Sequence, residues 1–173
     1  MGVPTHVMEF SSGMASEKDG GSGLLHFQSP LRQLDGVERW FITLSPLPKG
    51  KRYSEVRDQL YKEYIQAGGS AERMMLDIRK PGGEQWGARW VRYIIGHPRN
   101  DATVLDEAIQ LPKGPEFVSA DEVFSADEAG EILFTYYRTG DIPAGYVLRP
   151  VEGYTADDSL IDLRDLDHPR AVQ

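Results

Sequence analysis

The feature that most constrains the fold is a helix whose start, buried side and end are all visible in residues 124–143. Ser125 and Glu128 form an S-x-x-E capping box, in which each side chain is expected to bond a backbone N–H of the first turn. Gly140 supplies a left-handed residue at the end, and Pro143 prevents continuation. One apolar stripe follows the helical period and must face a core; it consists of Ala129, Ile132, Leu133, Tyr136 and Tyr137.

The remaining elements indicate an α+β fold. Alternating apolar residues predict strands, and turn-forming residues separate them; the predicted strands are 39–45, 72–79, 86–95, 116–118 and 145–151. A second helix is predicted from Ser54 through an apolar stripe that reaches Tyr64 and Ile65, with Gly68 and Gly69 as its exit. We therefore expect a mostly antiparallel sheet with two main helices packed on one face, in the split β-α-β order of ferredoxin-like folds.

The chain is expected to form one folded domain with two flexible ends. Residues 11–23 are small, polar and rich in glycine, which is typical of segments that bury too little surface to become ordered. We therefore interpret residues 1–23 as a flexible N-terminal leader, residues 24–166 as a single α+β domain and residues 167–173 as a tail.

Composition excludes several kinds of chemistry. The sequence has no cysteine, so disulfides, cysteine-based zinc sites and thiol nucleophiles are excluded. The four histidines are scattered without a metal-ligand spacing, and no glycine-rich loop leads into a helix with a lysine. No metal, no cofactor and no catalytic residue is predicted. No apolar stretch approaches the roughly 20 residues that cross a bilayer, so we predict a cytoplasmic protein without a membrane partner.

Charge is distributed unevenly along the sequence. Residues 101–173 contain 16 Asp or Glu against 5 Lys or Arg, a balance of −11, whereas residues 1–100 have a balance of +3. This acidity disfavours nucleic acid as a ligand, because phosphate binding needs a basic surface. It favours a protein partner with a basic cleft. The alternative is that these carboxylates only keep the surface solvated.

Residues 86–95 raise a second possibility for binding. Trp86 and Trp90 are four residues apart on the predicted strand and would share a face with Arg92. Trp and Arg are enriched at interaction hot spots, so Trp86 is a candidate anchor for a partner. The alternative, which we favour, is that Trp90 belongs to the core and Trp86 covers the end of a hairpin.

The second half of the sequence resembles the C-terminal half of Imm1-type immunity proteins of bacterial polymorphic toxin systems. The resemblance lies in the Ala126-Asp127-Glu128-Ala129 helix start, the Thr-Gly-Asp-Ile-Pro exit at 139–143 and the strand at 145–148. It implies a small cytoplasmic protein, without catalysis, that binds a cognate toxin and occludes its active site. Toxins that act on nucleic acid or nucleotides have basic clefts, which carboxylates can occupy in place of phosphates. The contact residues that we predict on this basis are Glu116, Asp121, Glu122, Glu131, Asp141, Tyr154, Asp157 and Asp158, together with Trp86.

Two other classes of function stay open at this point. One is a small enzyme or ligand-binding protein with a pocket between sheet and helices near His97, whose unperturbed pKa is close to neutrality; Tyr93 and Arg92 would be its partners. The other is a structural subunit that forms a stable homo-oligomer. The oligomeric state itself is not predicted by the sequence.

Overall fold

The computed structural model describes residues 2–99, 102–164 and 171–172, which are organised around a large antiparallel sheet. Its strands and the small β7–β8 hairpin are, in chain order, β1 (Pro4–Phe10), β2 (Ala15–Asp19), β3 (Phe41–Pro46), β4 (Tyr64–Gly69), β5 (Met74–Pro81), β6 (Trp90–Gly96), β7 (Glu107–Ile109), β8 (Glu116–Val118), β9 (Val147–Tyr154), β10 (Leu160–Asp162) and β11 (Ala171–Val172). The order across the sheet is β10-β9-β6-β5-β4-β3-β1-β2, and β11 also pairs with β9. The helices are α1 (Leu25–Leu31), α2 (Tyr53–Val56) and α3 (Ala126–Thr139). The predicted α+β class with a mostly antiparallel sheet is confirmed.

The main core lies between one face of this sheet and the pair α1 and α3. Phe27 and Leu31 of α1 and Ile132 and Leu133 of α3 are fully buried in one cluster with inward residues of β3, β4 and β5. The two helices cross at Gly130, where an added Cβ would come within 2.3 Å of the side chain of Gln28. Two helices therefore share one face of the sheet, as predicted, but one of them is α1.

Helix α3 has the predicted boundaries. The Ser125 Oγ accepts the Glu128 N–H at 3.4 Å, and Gly140 ends the helix in the left-handed region at φ +83°. The other half of the capping box differs from the prediction. The Glu128 carboxylate bonds His97 and Tyr146 instead, so it connects the helix start to two neighbouring loops.

The helix predicted from Ser54 is wrong for most of its length. Only Tyr53–Val56 is α-helical, a 3₁₀ turn follows at Arg57–Gln59, and Tyr64–Gly69 is the strand β4. β4 pairs on both sides, with β3 and with β5, and these two ladders of backbone hydrogen bonds outweigh the helical spacing of its apolar residues. The element order consequently differs from the split β-α-β order.

The N-terminal residues also differ from the prediction of a flexible leader. β1 and β2 form a hairpin at the edge of the sheet, and Val7 and Met8 are fully buried. β1 also pairs with β3. The hairpin is therefore anchored to the sheet, although residues 11–23 contain few apolar side chains to bury. Most of the predicted tail, 167–173, lies outside the described residues; Ala171–Val172 pair with β9.

Candidate functional site

Within the described residues, the second face of the sheet is covered in two regions. At one end the β7–β8 hairpin packs Ile109 and Val118 onto β5, β6 and β9, and at the other end α2 and the following turn cover Val7 and Leu47. Between these covers lies a polar surface, here called the open face. It consists of Tyr64, Gln66, Asp77, Arg79, Arg92, Glu152 and Tyr154.

Strand register explains why these side chains meet. Residues that pair directly across neighbouring strands lie on the same side of a sheet. One row runs from Tyr64 through Arg79 and Arg92 to Glu152. An irregularity in the β6–β9 register lets Arg92 pair with Glu152 while Tyr93 pairs with Pro150, which leaves Val151 as an extra residue. This bulge keeps Glu152 on the open face.

Arg92 is the centre of an ion-pair network on this face. Its Nε donates to Glu152 Oε1 at 2.6 Å, and its Nη1 lies 3.3 Å from Asp77 Oδ2. All three side chains are mostly buried, with exposed fractions of 15% for Arg92, 9% for Asp77 and 18% for Glu152. Arg164 approaches the same Glu152 oxygen at 3.7 Å. Glu152 therefore holds the arginine more closely than Asp77 does.

The negative charge of Asp77 is therefore only partly stabilised by its surroundings. Burial raises its pKa from 3.8 to about 6; Arg92 opposes this rise, while Glu116 and Glu152 add to it. Burial also raises the pKa of the neighbouring Tyr64 hydroxyl, with the charge of Asp77 as a second cause. The open face thus contains a buried acidic group that titrates close to neutral pH.

This pKa predicts a measurable pH dependence. Between about pH 4 and pH 6 the folded protein binds more protons at Asp77 than the unfolded chain does, so the contribution of Asp77 to stability falls as pH rises through this range. We expect the free energy of unfolding of Asp77→Asn, relative to the wild type, to increase by about 2 kcal/mol between pH 4 and pH 7. Urea titrations of both proteins at the two pH values measure this difference, and parallel pH profiles would contradict it.

Arg79 and Tyr154 form a second contact on the open face. The Arg79 guanidinium lies 3.8 Å from the centre of the Tyr154 ring, and its Nη1 donates to the Tyr61 carbonyl at 2.8 Å. The Arg79 Nε is buried and has no acceptor among the described residues. The two side chains form a cation–π contact, in which the guanidinium lies over the face of the aromatic ring.

Two clefts open on this side of the molecule and share Phe41. The smaller, about 180 Å³, is lined by Trp40, Phe41, Tyr64, Asp77 and Glu116, among other residues. The larger, about 420 Å³, contains Glu9, whose Oε2 accepts a hydrogen bond from the Tyr53 hydroxyl at 2.9 Å. Carboxylates and aromatic rings therefore line both clefts.

The predicted contact residues do not form one surface. Glu116 and Tyr154 lie at the open face. Asp157 and Asp158 are exposed in the turn between β9 and β10, next along the chain from Tyr154. Glu131 is exposed on α3, in the helix layer.

Three other predicted residues are engaged within the molecule. Asp121 pairs with Arg99 at 2.6 Å, and Asp141 pairs with Lys80 at 3.3 Å. Glu122 is completely buried against Arg149, so its side chain is not part of the molecular surface. A continuous acidic surface made from all the predicted residues is therefore not present.

Trp86 is not on the same strand as Trp90. It ends a 3₁₀ turn at Glu84–Trp86, which precedes β6, and it packs against a small cluster that includes Val91 and Leu163. The interpretation that Trp86 covers the end of a hairpin agrees with this position. The other part of it is wrong, because Trp90 is half-buried and lies outside the core clusters.

His97 is bonded through both ring nitrogens. Nε2 lies 2.7 Å from Glu128 Oε2, Nδ1 lies 2.8 Å from the Asp121 carbonyl, and the ring stacks on Phe124 at 4.5 Å. Arg92 lies on the open face and Tyr93 packs toward the helix face, so neither joins His97 in a pocket. The geometry favours a structural role for His97, in which it connects β6 to the start of α3.

Sequence reasoning missed Asp77, Arg79 and Glu152 as possible site residues. The available signal was Asp77 itself, a lone carboxylate inside the apolar run Met74 to Ile78. A charged residue in the middle of a buried strand needs a partner, and that requirement points to a site.

The described residues contain no group of three or more His, Asp or Glu side chains placed to hold a metal ion. Within the same ranges, each helix is too short or too polar to traverse a lipid bilayer. Comparison with protein-family models, curated proteins and solved structures finds no match to this chain.

Proposed function

We propose that this protein is an inhibitory binding protein of the immunity type, which occludes a basic cleft of a cognate bacterial toxin without catalysing a reaction. The observation that carries the proposal is the open face, where carboxylates, arginines and tyrosines from four strands adjoin the smaller cleft, which shares Phe41 with the larger one. Tyr and Arg are enriched at hot spots of protein interfaces, and a face built on paired strands is pre-organised for docking. The Imm1-like residues of α3 and its exit support the same class.

Charge supports a basic partner. Asp77, Glu116 and Glu152 meet at the open face, where Arg92 is shared between Asp77 and Glu152 and Arg164 lies 3.7 Å from Glu152, while Glu116 has no ion pair among the described residues. Carboxylates that face a basic cleft accelerate association and fix its orientation. Asp157 and Asp158, exposed in the adjoining turn, extend this charge as a rim. Glu131 on α3 lies on a different part of the surface, so we assign the contact to the open face.

The proposal predicts that a gene beside this one encodes the toxin domain, and the product of that gene is the partner to test. Co-expression should restore growth of cells that produce the toxin, and the purified proteins should form a complex. Glu116→Lys should weaken the complex by at least about 10-fold, because it places a cation at the rim of the smaller cleft. The matched control is Glu131→Lys, the same charge reversal at an exposed position of α3, which should change the affinity by about 2-fold or less.

Two results would contradict this assignment. A toxin that remains lethal during co-expression would exclude the immunity function. A complex weakened by Glu131→Lys and unaffected by Glu116→Lys would place the contact on the helix layer. Calorimetric titration of both variants, with thermal unfolding to confirm that they fold, separates these outcomes.

A further inference from the structure

The smaller cleft on the open face is lined by aromatic rings and by charged side chains, and Arg92 is the cation among the latter. Trp40, Phe41 and Tyr64 form aromatic walls, and Trp40 and Phe41 contact edge to face with ring centres 4.7 Å apart. Asp77 on β5 and Glu116 on β8 provide carboxylates from two different elements. Aromatic faces and carboxylates both attract cations, and their combination in one cleft is a recognised way to bind them.

Asp77 is only partly compensated inside the protein. The residue is 6% exposed, and from the described residues its side chain accepts a single hydrogen bond, the 3.3 Å contact from Arg92 Nη1 to Oδ2. Arg92 itself is closer to Glu152, at 2.5 to 2.6 Å, so its charge is shared between two carboxylates. A buried carboxylate is costly unless it is paired and fully hydrogen-bonded. A second cation in the cleft, beside Arg92, would add donors to this carboxylate.

The volume of the cleft restricts what this cation can be. At about 180 Å³ it lies below the range of about 300–1,000 Å³ typical of small-molecule sites. Its size suits a single side chain better than a drug-sized ligand. A guanidinium matches the walls best, because it is planar, stacks on aromatic rings and donates to two carboxylates at once.

We propose that this cleft binds the guanidinium group of an arginine side chain presented by the partner of the open face. This inference rests on the proposed function for the identity of the partner, but the cleft can be tested without it. In the complex, the arginine would lie between Tyr64 and Trp40 and donate hydrogen bonds to Asp77 and Glu116.

The test uses the full-length protein and a small probe, N-acetyl-arginine amide, followed by NMR. We expect saturable shifts of the Trp40 indole signal with a Kd of about 1–10 mM, as is usual for a single side chain without its protein context. The isosteric but uncharged N-acetyl-citrulline amide should bind at least about 5-fold more weakly. Glu116→Gln should reduce arginine binding by a similar factor, and Glu131→Gln should leave it unchanged. Glu116 is a partly exposed residue of a short strand, so this variant keeps the test valid if Asp77→Asn alters the fold.

The failures of the two proposals are distinguishable. Equal binding of the arginine and citrulline probes, or no saturable shift with either, would overturn the cleft assignment even if the toxin complex forms. Arginine-specific shifts that Glu116→Gln weakens would support it even if the adjacent gene product does not bind. Lysine amide that binds more tightly than arginine amide would overturn the choice of guanidinium.

Discussion

Replacing Arg149 with alanine should lower the free energy of unfolding by about 3–5 kcal/mol. Arg149 donates to both oxygens of the Glu122 carboxylate, at 2.8 and 3.0 Å, and Glu122 is completely buried. The same carboxylate accepts the Ser119 N–H at 2.9 Å, which fixes the loop before α3. Removal of the arginine takes away the cation that offsets a buried negative charge, and that charge is expensive in a low-dielectric environment.

The matched control is Arg32→Ala. Arg32 forms an equally short ion pair with Asp127, at 2.7 Å, but both side chains are about half exposed or more, so the expected loss is about 1 kcal/mol or less. Urea unfolding of the two variants at neutral pH measures the comparison. Similar losses for both would show that the burial of Glu122 does not govern the energy of its ion pair.

Replacing Gly69 with alanine should cost about 3–5 kcal/mol. Gly69 ends β4 at φ +126°, a conformation that side chains rarely adopt, and a Cβ would come within 2.5 Å of the Arg73 carbonyl oxygen. Backbone cannot move away as a flexible side chain can, so the tight β4–β5 connection would have to shift.

Gly68→Ala is the control for this substitution. Its added Cβ would lie 3.7 Å from its nearest neighbours, which is ordinary contact, and its φ lies outside the left-handed region. We expect a change of about 1 kcal/mol or less, because alanine fits the strand conformation. If the two alanine variants melt at the same temperature, the backbone conformation of Gly69 is not the constraint that we infer.

The parts of the fold that the sequence predicted well are those with local signals. α3 has a cap, a continuous stripe and a terminal glycine within 16 residues, 125–140, and the β5–β6 hairpin has a strong turn between two alternating runs. β4 was misread because Val56 and Leu60 do pack together in a small cluster, so the helical spacing was real but ended before Tyr64. The β1–β2 hairpin lacks a local signal, since its stability depends on pairing with β3.

The candidate site could not be assembled from the sequence for a related reason. Arg92 and Glu152 are 60 residues apart, and their contact depends on the bulge at Val151. A period of two along β9 would place Arg149 and Glu152 on opposite faces. Because of the extra residue, the two side chains lie on the same face. No pattern in the sequence indicates such a bulge.

The β1–β2 hairpin, at one edge of the sheet, affects how another polypeptide can bind there. β2 is an outer strand that pairs with β1 alone among the described residues, and it carries Ser16, Glu17, Lys18 and Asp19 in succession. A strand from another polypeptide that paired with β2 would place its side chains next to two carboxylates and an ammonium group. These charges disfavour extension of the sheet at this edge. Growth of the sheet by strand addition is therefore disfavoured at the β2 edge.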